Sequence, residues 1–241
     1  MAQVINTNVG ALFAGAALNK SAIGLQTAQQ RLSSGLRINS SKDDATGLAI
    51  ATGYDSQIRG TNIAVRNAND AISQAQTLDG YAAQMTENLQ RLYEIFVQTG
   101  DTATAESTAL ITENGRIAAL SATSGLIGKA VTVDGSGGTV AATSAALAAP
   151  TGATAAAVLT DITAVTTSRQ AYGADMAVFS SAVATMQSTS VNLSASYSRI
   201  MDTDYAAETS AQARNNILQQ AGTAVLAQAN QTPQSVLTLL R

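Results

Sequence analysis

The sequence contains no cysteine, no histidine and no tryptophan, and only two prolines in 241 residues. Without cysteine there are no disulfides and no thiolate nucleophile or ligand. Without histidine there is no Ser-His-Asp or Cys-His catalysis, no imidazole-metal site and no His-Glu-x-x-His protease. Aromatics make up 4% of the chain, so a dense aromatic core is excluded. Charged residues are 12%, about half the usual share. The net charge of -3 gives no general electrostatic reason to bind nucleic acid or anionic lipid. Nowhere do five like charges follow one another. No run of 18 apolar residues exists, so membrane insertion is not expected. The opening residues, Met1 to Asn8, have neither the basic start nor the apolar segment of a cleavable signal peptide. A secreted chain with this start would need another export route. These absences together predict a non-enzyme with no cofactor, no metal and no small-molecule ligand.

What the sequence has in quantity is alanine, 48 residues of it, set among Ser, Thr, Gln and Asn. Alanine permits close helix approach and contributes little burial energy. Val4, Thr7, Ala11, Ala14, Leu18, Ser21, Leu25, Ala28 and Leu32 alternate spacings of three and four, the seam of a helix packing on helices. Gly35 ends it, and Asn39 to Asp44 reads as loop and cap. A second helix over roughly 42–99 carries Val65, Ala68, Ile72, Ala75, Leu78, Ala82, Met85, Leu89, Leu92 and Phe96, with one phase slip at Leu78. A shorter helix is expected at about 105–120. Two β-rich runs, Ala130 to Val133 and Thr139-Val140, flank Asp134 to Gly138 and predict a small hairpin. The seam returns with Ile162, Val165, Arg169, Tyr172, Met176, Phe179, Val183, Met186, Ser190, Leu193, Tyr197 and Ile200. A last helix, about 204–231, places Ala207, Ala211, Arg214, Leu218, Ala221 and Val225 in register, and Pro233 is expected to stop it. Asp202 and Asp204 read as cap and hinge residues rather than an acid-base pair.

The fold class expected is all-α: an elongated antiparallel helical rod or coiled coil built from both chain ends, with a small β-hairpin insert. Its segments are a terminal helix and linker (1–41), one half of the rod (42–120), an outward insert (121–158), the other half (159–203) and a second terminal helix (204–241). Arg169 sits in the seam, either paired with Glu87 or Glu94 or reaching to water. The terminal seams are too rich in Ala and Ser to hold one pair of helices firmly. They are expected to order on assembly with copies of the chain. Head-to-tail contacts between such copies, if they do not close, give a helical filament.

Several blocks of residues resemble bacterial flagellins. They are Met1 to Asn8, Arg31 to Ser40, Lys42 to Ala45, Arg66 to Asp70, Ile217 to Gly222, Ala227 to Gln231 and Val236 to Arg241. The resemblance covers about 1–100 and 160–241, and the outer domains of longer flagellins are almost absent. It implies a structural subunit that self-assembles into the helical flagellar filament for swimming motility. It also implies an extracellular location and export, unfolded, by the flagellar type III apparatus. The implied partners are other copies of the chain, an export chaperone on about 204–241, and flagellar cap and junction proteins. A hook-filament junction protein, or a virion- or adhesin-type coiled-coil rod, stands as the alternative.

Carried onto this sequence, the subunit interface falls on Val4, Ala11, Leu18, Leu25 and Leu32, on Arg31, Arg37, Asp43 and Asp44 of the linker region, and on Leu218, Ala221, Val225, Leu237 and Leu240. Leu89-Gln90-Arg91 with Glu94 resembles the stretch that an animal innate immune receptor recognises in the family, with Tyr93 and Phe96 where Arg and Ala are usual.

Overall fold

The computed structural model describes residues 7–239, with side chains described over 7–231. It is 77% helical. There are five helices, α1 (Val9–Ser34), α2 (Ala45–Thr99), α3 (Ala105–Ala122), α4 (Ala155–Met201) and α5 (Tyr205–Leu239), and between α3 and α4 in sequence lie two short strands, β1 (Ala130–Thr132) and β2 (Thr139–Ala141). The strands pair antiparallel with Val131 opposite Val140. The all-α class with a small hairpin is as the sequence indicates.

Local chemistry sets the boundaries. The Asn8 side chain accepts the Ala11 N–H and caps α1, and Gly35 closes it in the left-handed region, φ 71°, where only glycine is unstrained. Asp44 Oδ1 accepts the Gly47 N–H at 2.8 Å, so α2 starts after this cap, at 45 rather than 42. Thr104 and Ser107 form a reciprocal capping box on α3. Asp204 Oδ1 accepts the N–H groups of Ala206 and Ala207 and caps α5, in keeping with the cap reading. One expectation fails: α5 runs through Pro233 to Leu239. A proline removes one ladder hydrogen bond and crowds the preceding turn, which can be absorbed without ending a helix.

The chain forms two compact units. Unit 2, residues 54–194, holds most of the buried apolar residues. Along α2, Ala68, Ala75, Leu78, Ala82, Met85, Leu89, Leu92 and Phe96 are buried, and they meet Val158, Val165, Tyr172, Phe179 and Met186 of α4. Asp101 accepts the Ala155 N–H while Asp79 meets Arg169, so α2 and α4 run in opposite directions. Arg169 therefore pairs with Asp79, at 2.8 Å, and with neither Glu87 nor Glu94. The true antiparallel register places Asp79 opposite it. This ion pair raises the Arg169 pKa, chiefly through the hydrogen bond.

An irregular strap, residues 142–154, closes over unit 2 and is held by side chains. The buried Asp175 carboxylate accepts the N–H and hydroxyl of Thr143 at 3.0 and 2.6 Å, and the Ser144 N–H at 2.8 Å together with its hydroxyl. Burial opposes the charge on Asp175 and is the largest single influence. The four hydrogen bonds jointly outweigh it and hold the carboxyl below its usual pKa. Tyr172 donates to the Ala145 carbonyl at 2.7 Å, and burial, helped by the Asp79 charge, pushes its phenol up.

Unit 1, residues 1–53 and 195–241, is different. Among its described residues the buried apolar set is only Ala14, Ala28, Ile38, Ala51 and Met201.

Candidate assembly surface

The two terminal helices of unit 1 form an antiparallel pair. Asn8 Nδ2 donates to the Ala229 carbonyl at 2.9 Å, Gly10 lies by Ala229, Leu18 by Gly222, and Gly24 by Asn215. Arg31 reaches Glu208 at 3.6 Å. A Cβ placed on Gly222 would stand 3.2 Å from Leu18 Cδ1, and one on Gly24 would stand 2.9 Å from Asn215 Nδ2. Small residues make this approach possible.

Close approach has not produced a core. On α1 the inward seam is the one read from the sequence: Ala14 and Ala28 are buried, and Ala11, Leu18, Leu25 and Leu32 are half-buried. On α5 the inward face is one residue out of step with the sequence reading. Glu208, Gln212, Asn215, Gln219, Gly222, Leu226 and Ala229 are half-buried, as is Ala211 of the seam read from the sequence, whereas Leu218, Ala221 and Val225 are exposed. The apolar side chains left outside are substantial. Leu12 and Phe13 of α1 are 66% and 77% exposed, and Ile217 of α5 is 65% exposed. Val9, Ile23, Leu218 and Val225 add to them. Large apolar residues concentrated on helices with almost no core are an unsatisfied surface, not the scatter normal for a monomer.

The segment joining α1 to α2 is anchored within the chain. The Arg37 guanidinium donates to the Ile200 carbonyl at 2.7 Å, and the Arg37 backbone N–H donates to the Met201 carbonyl. Arg31 Nε donates to the Arg37 carbonyl at 3.1 Å. Asp43 accepts the N–H groups of Asn39 and Ser40 at 3.1 and 3.0 Å. These bonds, Asn39 first, hold its carboxyl below the usual pKa. Ile38 and Ala51 pack with Met201 beneath this segment. Arg31, Arg37, Asp43 and Asp44 are thus all engaged inside the chain, which shapes the segment. Val4 and Leu240 lie outside the described residues, as does the side chain of Leu237.

The stretch that resembles a receptor contact divides. Leu89 is fully buried in the unit 2 core and offers no surface, because it lies on the α2 seam. Arg91 is exposed and bridges Glu106 at 2.9 Å and Glu94 at 3.1 Å, contacts that raise its pKa, Glu106 foremost. No helix is long and apolar enough to cross a membrane, and no cluster of metal-ligating side chains occurs, among the described residues.

Fold and surface together define a helical protein whose two ends form one pair with more apolar surface than they cover. Comparison with known proteins places that architecture. The bacterial flagellin N-terminal helical region matches residues 5–136 and the C-terminal helical region matches 156–240, so the chain belongs to the flagellin family. It is 52% identical over 107 residues to flagellins of Salmonella rubislaw and Salmonella typhimurium, and to a phase 2 flagellin of the latter. That stretch is 44% of this chain but only 21–22% of each relative.

Proposed function

We propose that the chain is a non-catalytic structural subunit that self-assembles, copy on copy, into a helical flagellar filament outside the cell and serves swimming motility. The observation that carries this reading is the contrast between the units. Unit 2 has a core of its own, while α1 and α5 expose Leu12, Phe13, Ile23, Ile217, Leu218 and Val225. At about 25 cal/mol per Å², covering these side chains with neighbouring subunits supplies what the terminal helices lack. The flagellin match supports homotypic partners. The interface assigned to Ala11, Leu18, Leu25, Leu32, Leu218, Ala221 and Val225 belongs to this proposal, with Arg31, Arg37, Asp43 and Asp44 shaping the connection. Leu12, Phe13 and Ile217 join it from the structure. Export in an unfolded state, a chaperone on the C-terminal segment, and cap and junction partners follow from the same family reading.

The test is seeded growth. Dissociated protein added to short filament seeds should extend them under the electron microscope. Phe13→Ser with Ile217→Ser should abolish extension while leaving unit 2 folded by circular dichroism. Extension by the double variant at the normal rate would remove the surface from the account. A stable monomer that never extends seeds would remove the function.

A further inference from the structure

The sequence holds three places where an Asp or Asn is followed by glycine: Asp79-Gly80, Asn114-Gly115 and Asp134-Gly135. With no side chain beside it, the glycine nitrogen is unshielded. It can close on the side-chain carbonyl carbon of its neighbour and form a five-membered succinimide ring. The structure treats the three places unequally. Asp79 and Asn114 stand inside α2 and α3, where the next N–H is held by the carbonyl four residues back. Ring closure there would break the helix. Asp79 is also held by Arg169 at 2.8 Å, and Asn114 is fully buried.

Asp134-Gly135 lies instead in the turn between β1 and β2. Asp134 is exposed, and the Gly135 N–H makes no hydrogen bond among the described residues. The carboxyl is folded forward over the turn. Its Oδ1 accepts the Ser136 N–H at 2.8 Å and the Gly138 N–H at 2.6 Å. A Cβ on Gly138 would collide with Oδ2, so glycine makes this placement possible. A carboxyl bonded to the N–H two residues on lies over the intervening peptide, whose nitrogen is that of Gly135. The two N–H groups on Oδ1 also face the oxygen on which negative charge collects when a nitrogen adds to Cγ.

We infer that Asp134 is a site of spontaneous isoaspartate formation, and that the change frees the hairpin turn from α2. In the first step, with the carboxyl protonated, a C–N bond forms from the Gly135 nitrogen to Asp134 Cγ. The Cγ–Oδ2 bond breaks, and Oδ2 leaves as water with its own proton and the one given up by the nitrogen. In the second step water adds to one of the two ring carbonyls. Opening at Cγ restores aspartate. Opening at the α-carbonyl leaves Cγ in the main chain and the α-carboxylate as the side group. Only water takes part, and mass and charge are unchanged. The effect is therefore geometric. The main chain gains one carbon between residues 134 and 135, and the carboxylate leaves the N–H groups of Ser136 and Gly138. Gly135 has no room to adjust, because its backbone is seated on α2. A Cβ there would stand 2.5 Å from both the Gln57 carbonyl oxygen and Thr61 Oγ1.

Cleavage after Lys and Arg puts Asp79, Asn114 and Asp134 in separate fragments, 67–91, 92–116 and 130–169. The full chain is held folded for weeks at neutral pH, digested with trypsin, and treated with an isoaspartyl methyltransferase and labelled S-adenosylmethionine. Fragment 130–169 should take up about ten-fold more label, or more, than either of the others. The same chain held in concentrated urea should label in all three fragments, because the helices no longer protect Asp79 and Asn114. Asp134→Ser should remove the label from 130–169, which excludes Asp161 as its source. Isoaspartate-bearing chains, separated by chromatography, should melt roughly 2–4 °C below fresh protein. Equal labelling of the three fragments in the folded chain, or none in 130–169, would overturn the site. Label confined to 130–169 even in urea would overturn the part given to the fold. An unchanged melting temperature would overturn the freeing of the turn.

Discussion

Asp175 shows most clearly how one side chain organises a segment without secondary structure. Four donors from Thr143 and Ser144 converge on its buried carboxylate. Because its pKa is lowered in the folded chain, the charge stabilises the fold above the unfolded-state value of about 3.9. That stabilisation is lost as pH falls through the lower, folded value. Asp175→Asn should cost about 1.5–3 kcal/mol at pH 7. The gap to wild type should narrow steadily once the pH drops below about 4, measured by urea denaturation across pH. A gap that stayed constant to pH 2 would show that the charge is not what holds the strap. Asp43 has a lowered pKa for a related reason, the backbone N–H groups of Asn39 and Ser40. Asp44 caps α2, and removing a cap of this kind costs about 1 kcal/mol. The double change Asp43→Ala, Asp44→Ala should slow or prevent seeded filament growth. Growth at the wild-type rate would free the linker carboxylates from any part in assembly.

At the scale of elements, the long seams were legible because their inward residues are the large apolar ones. From Leu78 to Phe96 on α2 and Val165 to Met186 on α4, spacing alone locates the core. The hairpin was legible from β-rich runs around Asp134 to Gly138. The α5 register was not, for a physical reason. Periodicity assigns apolar residues to the nearest partner, but the face that α5 turns to α1 carries Glu208, Gln212, Asn215 and Gly222. Its apolar Ile217, Leu218 and Val225 point away. The Asp79–Arg169 pairing was missed because the length of chain between α2 and α4 does not fix their relative register. Nor did the sequence show the docking of the hairpin turn on α2. A Cβ on Gly60 would stand 2.6 Å from the Gly135 carbonyl oxygen, and one on Gly135 would meet the Gln57 carbonyl oxygen. Gly60 thus looks like a helix weakness but is where two backbones meet. Gly60→Ala should lower the stability of unit 2 despite better helix propensity. Gly80→Ala, with nothing within 4 Å, should raise it by about 1 kcal/mol. Thermal melts of the two variants check this, and a gain at Gly60 would contradict the close contact.

At the scale of the whole molecule, burial is divided unequally. The middle of the chain completes a core from Leu, Met, Phe and Tyr, and the two ends do not. Low charge, abundant alanine and few aromatics suit terminal helices that come close to one another and leave their larger apolar residues exposed. Local stability follows local burial, so α1 and α5 should open far more readily than the core of unit 2 until copies cover them.

The most direct measurement is amide hydrogen exchange on the isolated chain and on seeded assemblies. Residues 9–34 and 205–231 should exchange rapidly in the monomer and become protected by orders of magnitude on assembly, while the buried stretch from Leu78 to Phe96 is protected in both. Equal protection of the terminal helices before and after assembly would contradict the claim that they are completed by neighbouring subunits.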